Sequence, residues 1–303
     1  MYFGILSERV KAVDGNMPET VRVYWDRGGV SVPRRRAETH KGDYGKLLIV
    51  GGSVGYTGAP NLCARSAVRS GAGLVYLGVP EAIWSVCAVK NDEAMPFPLP
   101  SAEGKLARDA LPVLLERLEK SDVCVLGPGL GRNDTLTALV QAVVMQSGTP
   151  LVLDADALFA VAQDAAVLER ARAPIVLTPH DGEFARLAGP DKTSRAEAAS
   201  DFAVRHGCTV VRKGPETVCA FPDGDAAVLR VGNPGMAKGG SGDVLAGMLG
   251  ALLCQMPARD AVQTAVWLHG RAGDLCAGRM GEYAMNPTDV IAALPEVTKP
   301  IIR

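Results

Sequence analysis

A glycine-rich segment directly ahead of an apolar stretch is the part of this sequence best suited to chemistry. Residues 235–242 contain four glycines and precede the apolar run Val244–Leu253. Backbone N–H groups without side chains can surround an anion, and the partial positive charge of a helix N-terminus adds to the attraction. The spacing therefore predicts a phosphate-binding loop, in which Gly242 allows the backbone to approach the phosphate.

Asp243 follows this loop and is expected on the first turn of the helix. A carboxylate repels phosphate, so it is a poor phosphate ligand, but it suits a base that takes a proton from a hydroxyl attacking that phosphate. The alternative is an N-cap aspartate that only closes the helix. The segment is not a Walker A loop, because it lacks the G-x-x-x-x-G-K-[ST] pattern.

Two further glycine turns follow predicted strands. In an open parallel α/β sheet, ligands bind outside the carboxyl ends of the strands. One strand ends in residues 51–60, and another ends in Gly127–Gly131. The first of these turns begins G-G-S-V-G rather than G-x-G-x-x-G, and the acidic residue expected about 20 positions later is missing. A Rossmann-type dehydrogenase is therefore disfavoured.

Polar side chains end other predicted strands. Asp154 and Asp156 could cap a helix, bind Mg²⁺ through water, or do both. His180 lies between a strand and a helix that starts near Asp181, and it is either a functional residue or an ordinary surface or core histidine. The segment Lys213–Thr217 closes a further strand; it could contact a nucleotide, and a plain turn is the alternative.

The order of elements places these residues in one α/β domain. Apolar runs predict strands at 46–51, 74–79, 122–126, 150–153, 174–177, 208–212, 218–221 and 227–231, and a further strand is expected at 21–25. Helical periodicity is found at 61–70, 106–118, 135–146, 155–162, 195–206, 241–255, 258–277 and 287–292. Strand–helix alternation predicts a mostly parallel sheet covered by helices, and the last three strands predict an antiparallel meander at one edge.

Charge and hydropathy disfavour several classes of partner. The chain has 32 Lys+Arg and 33 Asp+Glu, so it lacks the basic excess typical of nucleic-acid-binding proteins. No apolar stretch approaches the roughly 18 residues of a membrane span, and the charged first residues do not resemble a signal peptide. We therefore expect small-molecule partners, neither nucleic acid nor membrane, and a cytoplasmic location.

The cysteines and histidines do not predict a metal centre. The 7 Cys contain no C-x-x-C pair, and several lie in apolar runs. They are expected to be reduced core residues. The 4 His show no zinc-type spacing with them, so a structural zinc site is not expected.

Taken together, the motifs resemble a family. The run Asn233–Asp243 is similar to the anion hole and catalytic aspartate of the ribokinase-like superfamily. Six more segments, in order, resemble the ADP-dependent (S)-NAD(P)H-hydrate dehydratases: 40–45, 51–53, 56–60, 127–131, 154–158 and 178–183. The resemblance extends from about residue 40 to the C-terminus. We therefore divide the chain into an N-terminal arm, 1–40, and a ribokinase-like domain, 41–303.

The resemblance implies both a fold and a reaction. The expected fold is a three-layer α/β/α sandwich with a mostly parallel central sheet and an antiparallel edge meander. The expected enzyme is a hydro-lyase that repairs the S-epimer of hydrated NADH or NADPH. It would phosphorylate the ring hydroxyl with ADP and eliminate phosphate, giving NAD(P)H, AMP and phosphate. The resemblance also implies Mg²⁺, a homotetramer and a separate epimerase in the same pathway.

The same resemblance assigns roles to individual residues. Asp243 would act as the catalytic base beside the substrate hydroxyl, and the anion hole would consist of Gly239, Gly240, Ser241 and Gly242. The hydrate would contact Ala59, Gly129 and His180, with Gly131 an equally good match for Gly129. The adenine nucleotide would contact Lys213, Gly214, Pro215, Glu216, Thr217 and Gly242. Metal ligands are not assigned, and Lys238 could reach either phosphate or solvent.

Two other hypotheses remain open at this point. A small-molecule kinase of the same superfamily would share the Gly-Asp motif and release a stable phosphorylated product. A non-catalytic nucleotide-binding protein would keep the glycine loops and would not need Asp243.

Overall fold

A ten-stranded sheet lies between two layers of helices in the computed structural model, which describes residues 21–24 and 30–302. The strand order is β1-β12-β11-β10-β9-β8-β7-β2-β3-β4, and β5 and β6 form a separate hairpin. The strands are β1 (Val21–Tyr24), β2 (Lys46–Val50), β3 (Leu74–Pro80), β4 (Met95–Leu99), β5 (Ser101–Ala102), β6 (Lys105–Leu106), β7 (Val123–Leu126), β8 (Leu151–Leu153), β9 (Ile175–Leu177), β10 (Thr209–Arg212), β11 (Thr217–Ala220) and β12 (Ala226–Leu229).

The helices divide between the two faces of this sheet. They are α1 (Gly58–Arg69), α2 (Glu81–Lys90), α3 (Ala110–Leu118), α4 (Asp134–Gln146), α5 (Asp156–Val161), α6 (Asp181–Ala188), α7 (Arg195–His206), α8 (Ser241–Leu253), α9 (Ala258–Met280) and α10 (Pro287–Thr298). One apolar core contains residues of α1, α2, α8, α9 and α10. The other contains residues of α3 to α7. The expected three-layer α/β/α architecture is therefore confirmed.

The central strands are apolar throughout because both of their faces are buried. In β2, Leu47 and Ile49 belong to one core, while Leu48 and Val50 belong to the other. Successive strand side chains point to opposite faces, so a continuous apolar run supplies both cores.

The predicted meander is present, with a further strand beyond it. β11 pairs antiparallel with both β10 and β12. Consequently β12 again runs parallel to β10, and β1 pairs parallel with β12. The meander therefore lies one strand inside the edge rather than forming the edge itself.

The N-terminal arm predicted at 1–40 is described only in part. The strand expected at 21–25 corresponds to β1, and Trp25, the last residue of that expected strand, lies outside the described residues. Val32 forms an isolated bridge with Ile302. The division at residue 40 stays a prediction.

Some sequence-based boundaries were wrong, and other elements were not foreseen. Leu106, predicted as the first residue of a helix, belongs to β6, and α3 starts at Ala110. Neither β4 nor α2 was predicted. β4 contains two prolines, Pro96 and Pro98, which weaken any strand signal and are tolerated because this strand lies at a sheet edge.

Helices α1 and α8 pack unusually closely. A methyl group added at Gly247 in α8 would lie 2.1 Å from the carbonyl oxygen of Cys63 in α1 and 2.2 Å from Ser66 Oγ. Only glycine allows this approach. Both helices begin at the carboxyl edge of the parallel strands, and their close contact fixes the two N-termini relative to each other.

Candidate active site

The carboxyl ends of β2 and β7 meet at the point where the strand order reverses. From β2, the chain adds strands first toward β3 and later toward β7 and β8. Such reversals create the crevice in which open α/β sheets bind ligands. The two glycine turns touch there, because Gly52 N–H donates to the carbonyl of Pro128 at 2.8 Å. Two of the predicted loops are thus brought together.

The loop before α8 leaves its backbone open. Gly240 is the N-cap and has a φ of 100°, a left-handed conformation that favours glycine. Gly239 is exposed, and a methyl group added there would meet no atom of the described residues within 4 Å. The N-cap residue of α8 provides no side-chain hydrogen bond. The first amides of α8 are therefore left without a side-chain cap at the end of the helix that attracts anions.

Asp243 lies on the first turn of α8, at the border between this open loop and the core. From Val244 to Leu252, every residue of the helix is buried. Burial raises the pKa of Asp243 to about 7; the negative charge of Asp154 adds to the rise, and the ammonium of Lys213 opposes it. A carboxyl group with this pKa can accept and release a proton near neutral pH, as a general base must.

Lys213 is partly buried, and its ammonium faces the acids of the neighbouring strand ends. Its ammonium donates to Asp154 Oδ1 at 2.8 Å and lies 3.8 Å from Glu183 Oε2. Burial favours the neutral amine, but the carboxylates of Asp154 and Glu183 outweigh it and raise the pKa of Lys213. A methyl group added at Gly242 would lie 3.2 Å from Lys213 Nζ. Lys213 and Gly242 are thus brought together, as expected of residues that share one ligand.

Asp154 connects three elements of the site. Its side chain is 1% exposed, and Oδ1 accepts hydrogen bonds from Lys213 and from Thr178 Oγ1, the latter at 2.7 Å. Asp154 does not cap α5, because the N-cap of that helix is Ala155, which has no side-chain cap. Ala155 has a φ of 51°, a strained value for a non-glycine residue.

Asp156 is already engaged by neighbouring groups. It accepts from the Gly131 amide at 2.8 Å and from Arg132 Nε at 2.7 Å. Within residues 21–24 and 30–302, no cluster of three or more His, Cys, Asp or Glu is arranged to hold a metal ion.

His180 caps α6. Its Nδ1 accepts from the amide of Glu183 at 3.2 Å, and its own amide donates to Glu183 Oε2 at 2.9 Å. With Nδ1 accepting, a neutral ring presents Nε2–H as a donor. The side chain is 56% exposed. His180 also forms a parallel bridge with Lys213, so these two predicted site residues are adjacent.

Gly129 and Ala59 lie side by side. A methyl group added at Gly129 would be 3.2 Å from Ala59 Cβ and 3.1 Å from Tyr56 Cβ. Gly131, the alternative match, lies against the Lys105 side chain. Tyr56 was not predicted as a site residue. Its side chain is 63% exposed beside these two small residues, and exposed aromatic residues in loops are the signal that could have identified it.

The turn after β10 is supported by Arg195. The guanidinium donates to the carbonyl oxygens of Glu216, at 2.6 Å, and Lys213, at 3.0 Å. It also pairs with Asp181 of α6. Gly214 and Pro215 lie on the outer side of the turn, where both are exposed.

Lys238 is exposed to solvent, and its ammonium is also held by backbone carbonyls. Its ammonium donates to the carbonyl oxygens of Tyr283, at 2.8 Å, and Met285, at 2.6 Å. It therefore connects the phosphate-binding loop to the α9–α10 connection.

Comparison with known proteins identifies the family. A family model described as NAD(P)H-hydrate dehydratase matches residues 47–296. The chain belongs to this family. Among its relatives, the bifunctional NAD(P)H-hydrate repair enzyme Nnr of Moorella thermoacetica is 44% identical over 274 residues, 88% of this chain and 52% of that protein. The ADP-dependent (S)-NAD(P)H-hydrate dehydratase of Bacillus subtilis is 35% identical over 276 residues, 89% of this chain and 94% of that protein.

The chain spans about half the length of the bifunctional curated relatives it matches. Two solved structures match almost its whole length. The Bacillus subtilis ADP/ATP-dependent NAD(P)H-hydrate dehydratase, co-crystallised with ATP and Mg²⁺, gives a TM-score of 0.75 at 31% identity and covers 89% of this chain and 95% of its own. A ribokinase-like superfamily protein of Enterococcus faecalis gives 0.78 at 28% identity, with 90% and 93% covered. The expected ribokinase-like fold is confirmed.

Proposed function

We propose that this chain catalyses the ADP-dependent dehydration of the S-epimer of hydrated NADH or NADPH. The products are NAD(P)H, AMP and phosphate. The observation that carries the proposal is the placement of Asp243: a carboxyl group with a pKa near neutrality stands on the first turn of α8, directly behind an open glycine loop. Membership of the NAD(P)H-hydrate dehydratase family narrows the reaction to this one.

The reaction requires phosphorylation because hydroxide is a poor leaving group and phosphate a good one. Asp243 takes the proton of the ring hydroxyl, and the oxygen forms a bond to the β-phosphorus of ADP while the bond to AMP breaks. The ring C–O bond then breaks with help from the nitrogen lone pair, phosphate leaves with the electron pair, and loss of a ring proton restores the double bond. The amides of Gly239–Gly242 stabilise the charge on the transferred phosphoryl group.

The hydrate is assigned to the pocket between the two glycine turns. Ala59 and Gly129 are small residues that lie in contact there, and the exposed side chain of His180 offers Nε2, which lies 3.5 Å from Glu183 Oε1, to a polar group of the substrate. We prefer Gly129 to Gly131 because the Gly131 amide already donates to Asp156. Ala59→Val and Gly129→Val test the assignment of these two residues. Each substitution should raise the KM for the hydrate more than the KM for ADP.

The adenine nucleotide is assigned to the turn Lys213–Thr217 and to Gly242. Gly214 and Pro215 offer an outer surface for the nucleoside, while Arg195 keeps the turn in place behind them. Lys213 adds a positive charge where the phosphates meet α8.

Mg²⁺ is proposed to arrive with the nucleotide. Mg²⁺ commonly uses one or two carboxylates together with substrate phosphates rather than an all-protein cage. The described residues fit that mode. Asp154 and Asp156 follow β8 near the loop before α8, but both already accept hydrogen bonds from protein donors, so they do not form an all-protein cage for the ion. When bound, the ion would neutralise phosphate charge. The requirement for Mg²⁺ is tested by measuring ADP binding with and without a chelator, which should weaken the binding.

The assembly and pathway also belong to this proposal. We propose a cytoplasmic homotetramer that works with a separate epimerase, the latter supplying the S-epimer. Among the helices of the described chain, none has the length and apolarity to cross a bilayer. Sedimentation analysis of the purified chain would test the tetramer.

Purified S-hydrate, ADP and Mg²⁺ provide the direct test of the proposed reaction. We expect the absorbance of the reduced nicotinamide to return, with AMP and phosphate released in equal amounts. Release of AMP with accumulation of a stable phosphorylated compound would instead indicate a kinase. Neither product after incubation with the S-hydrate would overturn the proposal.

A further inference from the structure

Two carboxylates are packed around the ammonium of Lys213 at the α8 N-terminus. Asp154 and Glu183 are in ion-pair contact with this ammonium, and Asp154 Oδ2 would lie 3.9 Å from a methyl group added at Gly242. The ammonium also lies beside Gly242, the residue that precedes Asp243. Because Lys213 is held from the side of Asp154, its charge acts on Asp243 from a fixed position.

We propose that Lys213 and Asp154 are positioning residues that set the proton affinity of Asp243 in opposite directions. The ammonium stabilises the ionised carboxylate of Asp243, and the carboxylate of Asp154 destabilises it. The hydroxyl of Thr178 donates to Asp154 Oδ1 at 2.7 Å and so helps to orient this carboxylate. The catalytic role of Asp243 in this inference rests on the proposed function, but the electrostatic coupling does not.

Other groups around Asp243 do not replace this pair. Asp156 and Glu183 raise the pKa of Asp243 more weakly than Asp154 does. His269 of α9 lies 3.5 Å from Ser241 Oγ, and burial lowers its pKa to about 4, so it is neutral near pH 7. Burial raises the pKa of the Cys63 thiol in α1, which is therefore also neutral. Lys213 is the lysine that opposes the acids.

The arrangement explains why so much negative charge is tolerated beside a phosphate site. A lysine free to turn outward would bind phosphate as a simple counter-ion. Lys213 is instead retained by Asp154 and Glu183, so it remains beside Asp243 before any nucleotide is bound. Asp243 is thereby kept between full ionisation and full protonation, a state suited to receiving a proton.

The test measures the titration of Asp243 directly. Protein labelled with ¹³C in its aspartate carboxyl groups is titrated by NMR, and the Asp243→Asn variant assigns the resonance. We expect Lys213→Met to raise the midpoint of Asp243, and Asp154→Asn to lower it, each by about one pH unit. The double variant Lys213→Met/Asp154→Asn should give an intermediate midpoint.

The double variant also guards against misfolding, because Lys213→Met alone leaves a buried unpaired carboxylate. Lys120→Met is the matched control, since it removes a lysine from an exposed pair with Glu116 of α3. It should leave the Asp243 midpoint unchanged. The inference would be overturned if Lys213→Met and Asp154→Asn shifted the Asp243 midpoint in the same direction. It would also be overturned if either single variant left the midpoint unchanged.

A second measurement separates this inference from the proposed function. The pH profile of kcat/KM for the hydrate should move in the same two directions as the NMR midpoints. If wild-type protein does not turn over the hydrate but the NMR midpoints move as expected, the proposed function fails and the coupling stands. If the wild-type enzyme is active and its pH profile is unchanged in both single variants, the coupling fails and the function stands.

Discussion

Two glycines of α8, about one and a half turns apart, are required for different reasons. A methyl group added at Gly242 would meet Lys213 Nζ at 3.2 Å, which is the end of a flexible side chain. At Gly247 it would meet the Cys63 carbonyl at 2.1 Å. The first glycine faces the movable end of a side chain, whereas the second faces a backbone carbonyl that cannot move aside.

The same contrast separates the loop before α8 from the body of the sheet. At Gly239 no described atom lies within 4 Å of an added methyl group, whereas at Gly127 the carbonyl oxygen of Asp154 would be 1.8 Å away. Open space in front of a glycine backbone leaves room for a ligand but is not specific for one, since Gly148 is equally open. A glycine packed against another backbone indicates a constraint of folding. Sequence alone does not distinguish the two.

The largest effect is expected at Asp243, at the border of the two regions. Asp243→Asn should lower kcat by about a thousandfold or more, because the base is lost. ADP affinity, measured by calorimetry, should be retained because the open loop is unchanged. Retention of full turnover would instead support a non-catalytic nucleotide-binding protein.

The same variant should be more stable than the wild type at alkaline pH. The pKa of Asp243 is about 7 in the folded state and about 4 in the unfolded state, so between these values the folded protein binds more protons. Stability therefore falls as pH rises through this window, and the full penalty remains above it. Removing the carboxylate should raise the Tm at about pH 8 and change it little at about pH 4.

Gly247→Ala tests the glycine of α8 that packs against the backbone of α1. The added methyl group forces α1 and α8 apart, and we expect a loss of about 3 kcal/mol in the free energy of unfolding. Urea denaturation gives the value. Gly148→Ala is the control, because that glycine is exposed and has no described atom within 4 Å. Equal stability of the two variants would contradict the close approach of the two helices.

The pH dependence of turnover tests whether Asp243, at the border between the open loop and the core, is the essential base. Only the ionised carboxylate can accept the hydroxyl proton, so kcat/KM should fall about tenfold per unit as pH drops below about 7. Steady-state rates over a pH series measure this. A profile that stays flat down to pH values of about 5 would mean that the essential carboxylate is an ordinary exposed one.

The smallest effect is expected at Gly239, the glycine with open space in front of its backbone. Gly239→Ala should leave the Tm unchanged, since the methyl group meets no atom of the described chain. It should raise the KM for ADP by about tenfold, because the methyl group occupies the space of the ligand. A fall in Tm without a change in KM would place Gly239 among the packing glycines.

Local sequence patterns were sufficient to predict most of the fold. Apolar runs bounded by glycine predicted the central strands, since burial on both faces gives an uninterrupted apolar stretch. The meander followed from three short strands separated by turns. β4 was missed because its prolines contradict strand propensity. α2 was missed because apolar residues also lie on its exposed side, namely Trp84, Val86 and Val89, so the helix lacks a clear apolar face.

The site could be predicted only as separate segments. Asp243 and its loop are contiguous in sequence, so their relation could be inferred. The pairing of Lys213 with Asp154 joins residues 59 positions apart and depends on the order β10-β9-β8 in the sheet. Lys213 was accordingly expected only to contact nucleotide, while the structure shows that it also neutralises buried acids.

The contact between Gly247 and Cys63 has a mechanical consequence. Ala59, assigned to the hydrate, lies in the first turn of α1, and Asp243 lies in the first turn of α8. Because the two helices are in backbone contact, the first turns of α1 and α8 are held at a fixed separation. In the proposed reaction, this contact sets the distance between the acceptor hydroxyl and the donor phosphate.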